Sequence, residues 1–199
     1  MNKRLGFLLT LLILVPVILA ACGGDDDDDN GGDVSLSQSF ETTQEGVTLK
    51  FNYPDGWVRL EQEGAVASAS SDEVAQSLTG DDIPDLGDDD VGMALLPFPA
   101  ALLTLEGDAE EVSAAAAIDS FGGQIVGDDQ FTVGDNQDAT FNGKTAARAT
   151  LSGDVAEGEL FVIESTEDFF LFALYVTGDY DGDAKSTAEA ILNSVELTN

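Results

Sequence analysis

The chain has 199 residues, 43% of them apolar, and its 39 acidic residues face only 7 basic ones, giving a formal charge of −32. That length fits one domain with a tail, and a chain so poor in Lys and Arg cannot neutralise nucleic-acid phosphates or hold to anionic lipid by charge. With no histidine and a single cysteine, Cys22, it also lacks the means for Ser-His-Asp or Cys-His catalysis, an intramolecular disulfide, a thiolate cluster or the common zinc sites.

In chain order, Met1-Asn2-Lys3-Arg4 is a short positive start, and Leu5 to Leu19 is apolar apart from Gly6, Thr10 and Pro16. This pattern predicts a secretory signal peptide over residues 1–21. The apolar run falls short of the roughly 20 residues that a membrane span requires, and Pro16 interrupts it. Leu19-Ala20-Ala21-Cys22 sets a branched apolar residue and two small residues before a cysteine. It resembles the lipobox of bacterial signal peptidase II substrates. The resemblance implies cleavage before Cys22 and diacylglyceryl transfer to its thiol, leaving the protein lipid-anchored on the extracytoplasmic face of the cell membrane. Acyl chains bury CH₂ groups at about 0.8 kcal/mol each, so two or three of them anchor a protein firmly.

After Cys22 come Gly23-Gly24, the five aspartates Asp25 to Asp29, and Asn30-Gly31-Gly32-Asp33. Glycine loosens the chain and like charges extend it, so residues 22–37 are expected to be the lipidated cysteine and a disordered acidic tether. An aspartate run without fixed backbone geometry holds divalent ions only weakly.

Residues 38–199 have the texture of a folded domain. Val47, Leu49, Phe51 and Tyr53 alternate with polar residues and predict a strand with one buried face. Pro54-Asp55-Gly56 predicts a turn into a strand from Trp57, and Ala65 to Ser70 continues that hairpin. Asp72 to Leu78 predicts a short helix, and 80–92 an acidic loop. Met93 to Phe98 and Ala101 to Leu105 are expected to be strands broken by Pro97 and Pro99. Asp108 to Phe121 predicts a helix stopped by Gly122-Gly123, with Ala114, Ala117, Ile118 and Phe121 on one face. Antiparallel strands follow at Gln130–Val133, Ala139–Phe141, Lys144–Leu151, Gly158–Ser165 and Phe169–Thr177, with a hairpin at Asn142-Gly143. Phe169 to Val176 is apolar on both faces, which predicts a central strand covered on both sides. Asp181 to Val195 closes the chain as an amphipathic helix.

The order is α+β. The phrases Phe51-Asn52-Tyr53-Pro54-Asp55-Gly56-Trp57, Phe141-Asn142-Gly143-Lys144-Thr145-Ala146 and Ala188-Glu189-Ala190-Ile191-Leu192-Asn193-Ser194-Val195 resemble the PsbP-like superfamily. That resemblance covers about residues 40–197 and implies an antiparallel β-sheet flanked by helices. It does not imply photosynthesis, and it carries over no metal ligands, since the chain has no histidine.

Asp179-Tyr180-Asp181-Gly182-Asp183 begins like a calcium loop, but positions 6 and 12 are Ala184 and Ala190 where glycine and a bidentate glutamate are required. It is expected instead to be a turn whose Asp181 or Asp183 caps the last helix. Asp88-Asp89-Asp90, near Asp81 and Asp82, is expected to be a solvated loop. Trp57 is expected to pack in the core. The acidic excess is a solubilising surface suited to salty surroundings, the sign of a calcium-dependent fold, or a means of recognising a cationic partner. No catalytic, metal or cofactor-binding residue is assigned, and the assigned site is Cys22 lipidation. The expectation is a membrane-anchored, non-enzymatic binding or accessory module, with a carboxylate-pair hydrolase and a calcium-dependent surface protein as alternatives.

Overall fold

The structure, a computed structural model, describes residues 34–198 apart from 45, 63, 81–82, 84, 104–111 and 127–129. The expected signal peptide, Cys22 and most of the acidic tether lie outside the described residues. Two antiparallel sheets organise the domain. The smaller has the order β1 (Gln38–Gln44), β2 (Val47–Tyr53), β11 (Glu196–Thr198). The larger runs β3 (Val58–Gln62), β4 (Ala65–Ala69), β5 (Val91–Pro99), β10 (Phe169–Thr177), β9 (Glu157–Glu164), β8 (Lys144–Ser152), β6 (Thr132–Val133), and β7 (Gln137–Phe141) also pairs with β8. Four helices pack around them: α1 (Asp72–Ser77), α2 (Ala100–Leu103), α3 (Ala114–Val126) and α4 (Gly182–Asn193), counting the described residues alone. This is the α+β class.

β10 shows why the large sheet is covered twice. Phe170, Phe172, Leu174 and Val176 enter one core with α1 and α3, while Leu171, Ala173 and Tyr175 enter a second with β2 and α4. A strand alternates its side chains between faces, so an apolar residue at nearly every position demands a layer on each side. Each fully buried Leu or Phe contributes about 1.5–3 kcal/mol. In β2, Val47, Leu49, Phe51 and Tyr53 face the second core and the intervening residues are half-buried, as the alternation predicted.

Several elements differ from the sequence expectation. The turn at Pro54-Asp55-Gly56 carries the chain between sheets, since β2 and β3 belong to different ones. Residues 91–99 form one strand through Pro97 and Pro99. β4 pairs with β5 only as far as Leu95, so both prolines stand where β5 has no neighbour on that side and a missing N–H costs nothing. Ala101–Leu105 was expected as a strand. Its described part lies in α2, which starts at Ala100 directly after Pro99, and 104–105 fall outside the described residues. The alanine-rich helix starts at Ala114, whose N–H donates to Glu164 Oε1 at 3.0 Å, and Asp108 lies outside the described residues. It also runs through Gly122-Gly123 to Val126. A Cβ at Gly122 would stand 3.3 Å from Leu160 Cδ2, so the glycine brings the helix close to β9 instead of stopping it. The final helix ends at Asn193, and its last predicted residues lead into β11 on the far edge of β2.

The hairpin at Asn142-Gly143 has positive φ at both positions, 48° and 73°. That is the turn geometry whose twist matches antiparallel strands. Asn142 Nδ2 donates to the Val195 carbonyl at 3.3 Å and its N–H to Asn193 Oδ1 at 3.1 Å, so the hairpin also holds the end of α4.

Candidate functional site

β5 and β10 pair in register from Phe169↔Pro99 to Thr177↔Val91. At about 3.3 Å per residue the two ends of this ladder are roughly 26 Å apart, and a cavity opens at each end beside the second core.

At the Phe169 end, Val47, Leu49, Val66, Pro97, Pro99 and Phe169 line an apolar cavity of about 270 Å³. Thr42 and Gln44 of β1 also border it, and both donate to Glu61 Oε1, at 2.6 and 3.0 Å. These hydrogen bonds hold the Glu61 carboxyl below the ordinary carboxylate range. Arg59, on the same strand, stacks over the Phe40 ring at 4.1 Å and ties the two sheets together at this edge.

The Thr177 end is larger and its chemistry is opposite. Asp88 and Asp89, ahead of β5, meet Asp179, Asp181 and Asp183, after β10, around a basin of about 490 Å³. All five aspartates are exposed, while Tyr175 and Thr177 are buried and also line it. The two loops are fastened together. Gly178 N–H donates to the Asp90 carbonyl at 3.3 Å, and a Cβ at Gly178 would collide with the Gly87 carbonyl and meet Leu86 O at 2.7 Å. Only glycine allows that approach. Asp181 Oδ1 accepts from Asp183 N–H and Ala184 N–H at 3.0 and 2.9 Å, capping α4 as the sequence predicted.

Behind the basin is a polar network that the sequence did not single out. Glu159, 4% exposed, accepts a 2.5 Å hydrogen bond from Tyr180 Oη and lies 3.8 Å from Arg148 Nε. Arg148 Nη1 in turn donates to Glu189 Oε1 of α4 at 2.9 Å. Tyr180 stacks edge-on against Tyr175 with centroids 6.1 Å apart. Burial pushes both phenols well above the ordinary tyrosine range, with nearby Asp181 adding to the effect on Tyr175, and the Glu159 hydrogen bond and charge adding to it on Tyr180. Both rings therefore stay neutral phenols near neutral pH. The one basic residue beside this buried carboxylate thus bridges two acids, and each Glu159 oxygen already faces a partner.

The structure joins acidic segments that lie far apart in the sequence. The run at Asp88 meets the run at Asp179 across the β5–β10 ladder, whereas Asp81 and Asp82 lie outside the described residues. Among the described residues no three carboxylates converge closely enough to hold a metal ion. Trp57, expected inside the core, is only half-buried and packs against the edge of the second core. The signal that could have located the basin was the pairing of Val91 with Thr177, which brings two acidic segments to one end of the sheet.

No protein-family model matches the chain, and no curated protein matches it. Among solved structures it is similar to the solution structure of cyanobacterial PsbP (CyanoP) from Synechocystis sp. PCC 6803. The identity is 15% and the TM-score 0.48, over 90% of this chain and 99% of that one.

Proposed function

We propose that the chain is a lipid-anchored lipoprotein on the extracytoplasmic face of the cell membrane, acting as a PsbP-like binding or accessory module. The observation that carries this is Leu19-Ala20-Ala21-Cys22, placed directly after a positively started apolar run and directly before a Gly/Asp stretch. A thioether lipid at Cys22 supplies the anchor, and the acidic stretch stands the domain off from anionic head groups. Among the described residues no helix is long and apolar enough to cross a membrane. The large apolar side chain exposed among them is Leu102, at 48%, which is too little for an apolar docking face. Binding is therefore assigned to the cavities at the ends of the β5–β10 ladder.

The test is membrane fractionation of a bacterium expressing the full chain or its Cys22→Ser variant. The wild-type protein is expected in the membrane fraction with its first 21 residues removed, and the variant unprocessed by the lipoprotein peptidase. A variant that is processed and membrane-bound like wild type would overturn the proposal.

A further inference from the structure

We propose that the acidic basin binds an organic ammonium ligand, a di- or polyamine, between the carboxylates of Asp88, Asp89, Asp179 and Asp183 and the hydroxyl of Tyr175. The inference rests on the chain being a binding module and names the ligand class of one of its cavities.

The first observation is Tyr175. The residue is 1% exposed and lines the basin, yet its hydroxyl has no hydrogen-bond partner among the described residues. Ser68 Oγ is the one partnerless polar side-chain atom sealed from solvent among them, so the Tyr175 oxygen is not sealed. The trace of surface that the residue keeps therefore lies at this oxygen, in the basin. Buried polar groups in proteins have partners as a rule, and phenylalanine would fill the same core position without the hydroxyl. A phenol left open at the floor of a cavity is a group waiting for a ligand.

The second observation is the charge and spacing of the rim. Five carboxylates repel one another there, and no Lys or Arg lines the basin. They are too dispersed to chelate one ion, since no three of the described acids converge on a point. A cation with two or more separated ammonium groups matches that dispersion. At about 490 Å³ the cavity falls in the size range of small-molecule sites. Val91 and Ala184 supply apolar wall for methylene groups between the charges. The neutral phenol oxygen accepts from an ammonium N–H.

The experiment is calorimetric titration of the full-length protein in detergent with spermidine at physiological salt, alongside magnesium chloride at matched ionic strength. Tyr175→Phe leaves the charge unchanged, so it separates a built site from the diffuse attraction of a very acidic surface. Saturable spermidine binding weakened about tenfold by Tyr175→Phe, with an unaltered ligand-free melt, is the expected result. Asp89→Asn is expected to weaken binding as well. Glu167→Gln, which removes the same charge at the opposite end of β10, is expected to leave it unchanged. Equal weakening by Asp89→Asn and Glu167→Gln, wild-type affinity in Tyr175→Phe, or full displacement of spermidine by the matched magnesium would each overturn the proposal. Fractionation of Cys22→Ser is read independently, so failure here leaves the anchoring reading standing, and failure there does not touch this one.

Discussion

Glu159 is 4% exposed, and two side chains bring it to terms with burial: Tyr180 donates to one oxygen and Arg148 faces the other. Breaking a buried ion pair from one side leaves an uncompensated charge, which costs several kcal/mol. Arg148→Met is therefore expected to lower stability by about 3 kcal/mol in denaturant unfolding, and Glu159→Gln by less, since a neutral amide still accepts from Tyr180. Equal losses in the two variants would contradict this arrangement. Ser68 presents the reverse case, a buried hydroxyl without a partner. Removing such a group relieves a desolvation cost, so Ser68→Ala is expected to raise stability by about 1 kcal/mol, read as a higher denaturant midpoint. The two raised phenols set an alkaline limit. Because Tyr175 and Tyr180 hold their protons more tightly folded than unfolded, their contribution is complete below the ordinary tyrosine pKa of about 10 and is lost as pH rises beyond it. Melting temperature is expected to fall above that point, together with a rise in phenolate absorbance. A flat melting profile through strong alkali would contradict the burial of these rings.

At the scale of elements, Gly178 is the join on which the basin depends. An added methyl would meet backbone of Gly87 and Leu86, which cannot swing aside as a flexible side chain would. Gly178→Ala is expected to cost about 2 kcal/mol, measured by chemical unfolding, through forced separation of the two acidic loops. Much of the secondary structure was legible because it is written in local period and turn chemistry. The alternation of Val47 to Tyr53, the Asn142-Gly143 hairpin and the doubly apolar Phe169–Thr177 each state their structure in a few neighbouring residues. What escaped was decided at long range. Nothing local marks Gln38–Gln44 or Glu196–Thr198 as strands, because each exists by pairing with β2. Pro97 and Pro99 read as breaks until it is known that β4 ends beside Leu95. Gly122 reads as a stop until Leu160 is placed against it. The basin is half legible: both of its acidic segments stand out in the sequence, but only the β5–β10 register brings them together. Tyr175 gave no local signal at all, being one apolar-looking position in a buried strand.

For the whole molecule, charge is the dominant property. At −32 the folded state compresses carboxylates that the unfolded chain can spread apart, and salt screens that repulsion. Melting temperature is expected to rise steadily with sodium chloride, and magnesium or calcium at matched ionic strength should do no more. A calcium increment well beyond the sodium one would point to a specific site and contradict simple screening. The central claim concerns one sulfur atom, and the protein recovered from bacterial membranes tests it most directly. Mass spectrometry of its N-terminal peptide is expected to begin at Cys22 and to carry the mass of a diacylglyceryl group on the thiol. A mature chain that begins elsewhere, with that thiol free, would contradict it.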